Sequence, residues 1–143
     1  LSKKGAQLLV DTIDGLEEDT IHPKPQPELA SDWGAKAPKI KPANLRIDWQ
    51  APASRIMNQI RAFSPSPGAV THLAGKRLKL FDSTTGEGAG PPGQVLNTTG
   101  GHLEIATGDG SLLVSEVQIE GRRRLPVTEF LRGFTLATGE MLG

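Results

Sequence analysis

Between Ser64 and Gly68 the sequence reads Ser-Pro-Ser-Pro-Gly, and the hydrophobic period changes across that stretch. Before it, Ala53, Ile56, Met57, Ile60 and Phe63 recur at the three- and four-residue spacing of one helix face. After it, apolar and polar residues alternate in short runs, the period of strands. A proline inside a helix removes a backbone donor and presses its ring on the preceding turn. Pro65 therefore stops the helix, and Pro67 with Gly68 fixes a rigid, solvated corner. The chain must lead one helix into an otherwise β body at a set angle.

Five runs read as strands: 70–73, 77–81, 93–97, 102–106 and 111–119. Gly75-Lys76, Gly100-Gly101 and Gly108-Asp109-Gly110 supply the turns between them. Residues 83–92 are rich in Gly, Thr and Pro, and the expectation there is a mobile loop. Pro52 suits the start of the helix before the corner, where a missing N–H costs little. Thr128 is expected to cap a short closing helix, with Phe130, Leu131 and Phe134 facing inward. The pattern predicts a mainly β fold with flanking helices, a small, partly open barrel of the oligonucleotide-binding (OB) type. An unrelated five-stranded sandwich fits the same strand count. Trp49, beside Asp48, reads as a core anchor where the chain enters the barrel, or alternatively as a stacking platform.

The first third of the chain has a different character. Ala6, Leu9, Ile13 and Leu16 mark an amphipathic helix over residues 2–17. Its charges oppose its dipole, with Lys3 and Lys4 at the start and Glu17, Glu18 and Asp19 at the end. Gly15 weakens it further. Such a helix depends on packing, and the expected partner is an upstream domain. Pro23, Pro25, Pro27, Pro38 and Pro42 then break up regular structure and favour a semi-rigid, extended spacer. A docking peptide for a proline-reading module is the alternative for that stretch. The resulting division is a helix over 1–21, a Pro/Lys-rich linker over 22–44 and a barrel domain over 45–143.

The formal net charge is zero, but the charges are not mixed. Residues 34–81 carry Lys36, Lys39, Lys41, Arg46, Arg55, Arg61, Lys76, Arg77 and Lys79 against a single acid, Asp48. A block of one sign this dense reads as a surface for a polyanion, nucleic acid first. Arg122-Arg123-Arg124, after Gly121, forms a basic turn that adds to it. Absent cysteine excludes disulfides, thiolate metal sites and a Cys nucleophile. His22, His72 and His102 lack ligand-like spacing, so no metal is expected. Thr107-Gly108-Asp109-Gly110 lacks both the spaced oxygens of a calcium loop and the Lys-Ser/Thr of a phosphate loop, and reads as a hairpin turn. No apolar run approaches the roughly 20 residues of a membrane span. The expectation is a soluble, cytoplasmic binding module with no membrane contact, and a monomer.

Taken in order, "GAQLLVDTIDGLEEDTIHPKPQP", "KIKPANLRIDW", "IRAFSPSPGA", "ATGDG" and "EGRRRLPVTEFLRG" resemble the bacterial methionyl-tRNA formyltransferase family. The first segment is similar to the last helix and exit of the family's catalytic domain, the others to its linker and C-terminal domain. Ser66 departs from the aromatic that the family usually has there. The resemblance implies an enzyme that moves a formyl group from 10-formyltetrahydrofolate to the amino group of initiator methionyl-tRNA in translation initiation. It implies that the catalytic groups and the folate pocket lie in an N-terminal domain outside this chain, which holds no cofactor itself and is inactive alone. It also implies that Lys36, Lys39, Lys41, Arg46, Arg61, Lys76, Arg77, Lys79, Arg122, Arg123 and Arg124 hold the tRNA backbone. Two other readings stay open: the matching module of another formyltetrahydrofolate-dependent formyltransferase or hydrolase, and a non-enzymatic nucleic-acid-binding module.

Overall fold

The computed structural model describes residues 2–25 and 38–143. The chain divides into two compact units, Leu1–Pro38 and Lys39–Gly143.

In the first unit, helix α1 (Ser2–Glu17) follows the predicted stripe. It has no acid in its first turn and no base in its last, so its dipole is uncompensated. The chain turns back at Asp19, whose φ is +54°, and the N–H groups of Thr20 and Ile21 both donate to the Gly15 carbonyl. Ile21 thereby lies over Gly15, where a Cβ would come within 2.5 Å of its side chain. Leu8, Leu9, Ile13 and Leu16 remain exposed.

The second unit begins with α2 (Pro42–Leu45), one turn with proline at its first position. Here Pro42 starts a helical turn rather than ending order, because its missing N–H is one that a first turn leaves unbonded anyway. Helix α3 (Ala53–Phe63) buries Ala53, Ile56 and Ile60, the predicted face. It ends at the proline corner, where the Ser64–Pro65 and Ser66–Pro67 bonds are both cis. Gly68, at φ +88°, closes the corner by donating to the Phe63 carbonyl at 2.9 Å. A Cβ on Gly68 would stand 2.8 Å from the Phe81 ring, so glycine is needed there for contact as well as conformation.

The β body is an antiparallel sheet curled into a half-barrel. Its strands are β1 (Ala69–Leu73), β2 (Lys76–Gly86), β3 (Val95–Asn97), β4 (Leu103–Ala106), β5 (Ser111–Ile119) and β6 (Leu125–Pro126). The order is β1-β2-β5-β4-β3, with β6 paired to β5. Leu73, Leu78, Leu80, Leu103, Ile105, Leu112, Val114 and Val117 fill the inside with no exposed surface. Helix α4 (Val127–Gly133) closes one end through Val127 and Phe130. The structure therefore has the mainly β architecture with flanking helices, and a half-barrel consistent with the OB type.

Three expectations change. Residues 83–92 are not a loose loop: β2 runs on to Gly86, paired with β5 as far as Ser111. The glycines beyond are there for close approach. A Cβ on Gly88 would meet the Glu104 carboxylate at 2.4 Å, and one on Gly90 would meet Leu96 at 2.8 Å. Ser111 Oγ accepts from the Gly88 N–H and donates to Glu104, clasping this segment to the sheet. Thr128 does not cap α4; Pro126 holds the cap position, with no side-chain cap bond. A sixth short strand, β6, leads into that helix.

Trp49 is the anchor. It is buried, and its indole N–H donates to Thr71 Oγ1 at 3.1 Å inside the barrel. The Thr107–Gly110 turn is a clasp rather than an ion loop. Gly108 N–H donates to the Ala51 carbonyl, and Ala53 N–H donates to the Asp109 carbonyl. A Cβ at Gly108 would lie 1.8 Å from the Gln50 carbonyl oxygen, so only glycine lets the β4–β5 hairpin grip the entry to α3.

Candidate nucleic-acid interface

Alternation decides where the cations go. In β2, Leu78 and Leu80 point into the barrel, so Arg77 and Lys79 point out. The β1–β2 register pairs Val70 with Lys79 and His72 with Arg77; the β2–β5 register pairs Lys79 with Gln118. Ahead of α3, Arg46 forms a parallel bridge with Val70, and Ile47 N–H donates to the Val70 carbonyl at 2.8 Å. Ile47 is buried and Arg46 is exposed, so Arg46 shares the outer face with Val70. Arg46, Val70, Lys79 and Gln118 thus form one rung across the outside of the sheet. Neighbouring strands lie about 4.8 Å apart, which separates the Arg46 and Lys79 backbones by about 10 Å.

Basic groups continue from both ends of that rung. On one side a groove is lined by Arg46, Arg55, Asn44 and Gln59, with Asp48 as its acid. Gln59 fixes the groove by donating to the carbonyls of Asn44 and Arg46, each at 3.0 Å. On the other side Arg77 and Lys79 line a small cleft with Gln118 and Gly121. Arg77 is exposed and pairs with Glu120 at 3.2 Å. An ion pair this open leaves Arg77 much of its attraction for another anion. Lys76 has the parity of Leu78, and at the strand's first residue it lies at the barrel mouth beside Arg122 and Arg123.

The remaining sequence candidates are placed differently. Arg124 turns back from the basic turn. Its guanidinium lies over the Phe81 ring, 4.2 Å from the centroid, and it is hydrogen-bonded to Glu116. Its Nε is buried without a partner. Arg124 is spent on the protein itself. Lys39 and Lys41 are exposed ahead of α2, and Arg61 stands exposed in the last turn of α3, where the helix end favours a cation. None of these three lines the groove or the clefts. Lys36 lies outside the described residues.

The structure therefore brings Arg46, Lys76, Arg77, Lys79, Arg122 and Arg123 into one path, and adds Arg55. Arg55 shares the groove with Arg46 because Gln59 ties α3 to the Asn44 and Arg46 carbonyls, a contact that spacing in the sequence does not show. The parity of "KRLKL" separates Lys76, which has the parity of the inward Leu78, from the outward Arg77 and Lys79. No group of three or more metal-binding side chains occurs among the described residues. No helix among them is long and apolar enough to cross a membrane.

The profile of the formyl transferase C-terminal domain family matches residues 39–135. Among curated proteins, a methionyl-tRNA formyltransferase of Pelobacter propionicus is 47% identical over 143 residues, all of this chain and 44% of its own length. One from Trichlorobacter lovleyi is 44% identical over 142 residues, covering 99% of this chain and 44% of that protein. The chain thus spans less than half the length of the relatives it matches. Among solved structures, HypX from Aquifex aeolicus shares the fold at a TM-score of 0.65 and 24% identity, over 94% of this chain and 24% of that one.

Proposed function

Because the chain belongs to the formyl transferase C-terminal domain family, we propose that it is the tRNA-holding part of a methionyl-tRNA formyltransferase. The observation that carries this reading is the outward rung through Arg46 and Lys79, flanked by Arg55 and Arg77. Side chains of this kind on a rigid sheet follow a phosphate backbone and position it without reading sequence. The relatives' name supplies the polyanion: a tRNA carrying methionine. Transfer of the formyl group from 10-formyltetrahydrofolate to its amino group then belongs to the remaining length of such an enzyme. In this reading the exposed stripe Leu9, Ile13 and Leu16 of α1 packs against that catalytic part. The 143-residue chain alone, given formyl donor and charged initiator tRNA, forms no formyl-methionine. Turnover above a protein-free control would remove that assignment.

The interface is tested in the complete enzyme carrying this chain. Lys79→Ala and Arg46→Ala each remove binding that ground state and transition state share equally. Each should raise KM for methionyl-tRNA about fivefold and leave kcat in place. Unchanged KM in both variants would mean that the rung is only a solvated face.

A further inference from the structure

At the barrel mouth, between the end of β5, the 120–125 turn and α4, lies an open cleft of about 140 Å³. Its floor is apolar: Val117, Ile119, Leu125 and Phe130, with Phe134 at the side. The Phe130 and Phe134 rings are stacked, with centroids 5.1 Å apart and planes 15° from parallel. Its rim carries Lys76, Arg122 and Arg123, and also Glu120 and Glu129. It shares Ile119 and Glu120 with the smaller cleft of Arg77 and Lys79, so it sits where the outer basic path ends.

The two kinds of lining ask for two kinds of group. An apolar floor with two carboxylates at the rim is a poor place for phosphate, since both desolvation and like charge oppose it. A flat, neutral, aromatic group fits that floor, and its amino or imino hydrogens have carboxylates to meet. The three cations above it suit the phosphates on either side of such a group. That combination is a nucleotide in a strand, and only an unpaired one exposes its ring. Building on the polyanion reading above, we propose that this cleft seats one unpaired base of the bound RNA, with its flanking phosphates on Lys76, Arg122 and Arg123.

Two substitutions alter the cleft without changing its charge. Gly133 lines it, and a Cβ there would meet no atom within 4 Å, so Gly133→Leu starts its added bulk from open space. Phe134→Leu removes one ring of the stacked pair. The 143-residue chain and both variants are titrated by fluorescence anisotropy with an unpaired RNA oligonucleotide, a fully paired RNA of equal charge, and AMP as competitor. Both variants are expected to weaken the unpaired strand about tenfold, the scale of one base stacked on an aromatic ring. Both should leave the paired RNA and its salt dependence unchanged. AMP, lacking a second flanking phosphate, should compete at least about a hundredfold more weakly than the oligonucleotide. Wild-type affinity for the unpaired strand in both variants would overturn the base site and leave the outer basic path standing. Competition by AMP equal to the strand would assign the cleft to a free nucleotide. Failure of the unsubstituted chain to bind either RNA would remove the polyanion reading itself, and the base site with it.

Discussion

Arg124 and Lys79 show how one residue type does two jobs. Lys79 stands on the outer face at a rung position, while Arg124 is folded back on Phe81 and Glu116. The Arg124 and Glu116 side chains are each 32% exposed, so solvent screens the pair only in part. Removing the guanidinium leaves Glu116 unpaired and uncovers the Phe81 ring face. Arg124→Ala should therefore lower unfolding stability by about 1–2 kcal/mol. The folded protein's affinity for tRNA should stay as it was. Lys79→Ala should do the reverse, with stability unchanged and tRNA affinity reduced. Urea melts and binding measured on the same samples distinguish the two. If Arg124→Ala weakens binding as Lys79→Ala does and leaves the melt unmoved, this division is mistaken. Gly108 is the other decisive single position. Gly108→Ala pushes a methyl group into the Gln50 carbonyl, and the backbone cannot yield without releasing α3. A loss of about 3 kcal/mol is expected in the same urea experiment. Unchanged stability would mean that the hairpin does not grip the entry to α3.

Among the elements, the C-terminal tail has a role out of proportion to its length. Gly139 N–H donates to the Val95 carbonyl, Val95 N–H to the Glu140 carbonyl, and Leu142 N–H to the Gly93 carbonyl. Gly143 N–H then reaches the His72 carbonyl. The tail so links the free edge of β3 to the outer edge of β1, beside the Arg46–Val70 bridge, with Leu142 buried at 4% exposure. Leu142→Ala should lower stability by about 2–3 kcal/mol. It should also speed hydrogen exchange at Val95 more than at Leu112 in the sheet centre. Equal acceleration at both sites would mean that the tail is no separate seam. Helix α1 belongs at the other extreme. With its dipole uncompensated and its apolar stripe exposed, its amides should exchange much faster than those of β5. Protection equal to β5 would show that it is held by more than its own hydrogen bonds.

For the whole molecule, the elements that rest on local period were legible in the sequence. The α1 and α3 stripes and five strands came from spacing of three, four or two, and the corner from its two prolines and glycine. What stayed hidden depends on residues far apart in the chain. The glycines of 86–90 looked like looseness because the atoms they approach, in Ser111, Glu104 and Leu96, belong to other elements. The tail's seam left no signal, since its bonds are made by backbone. The basic block was visible as composition, but composition cannot tell Arg123 at the cleft rim from Arg124 folded onto Phe81 and Glu116. Nor could it join Arg46 to Lys79, which needs the bridge to Val70.

In the proposed function, this path of cations, held by the sheet, binds a tRNA backbone. Phosphate neutralisation releases counterions, so log affinity should fall linearly with log salt. With about four or five simultaneous contacts, at about 0.7 to 0.9 per contact, the slope is roughly −3 to −5. The most direct measurement is a titration of labelled initiator tRNA against the 143-residue chain from about 50 to 300 mM salt, repeated with an elongator tRNA and with the Arg46→Ala/Lys79→Ala double variant. The expected result is a similar slope for both tRNAs, made shallower by about 1.4 to 1.8 units in the double variant. A slope near zero, or one that the double variant leaves unchanged, would contradict the claim.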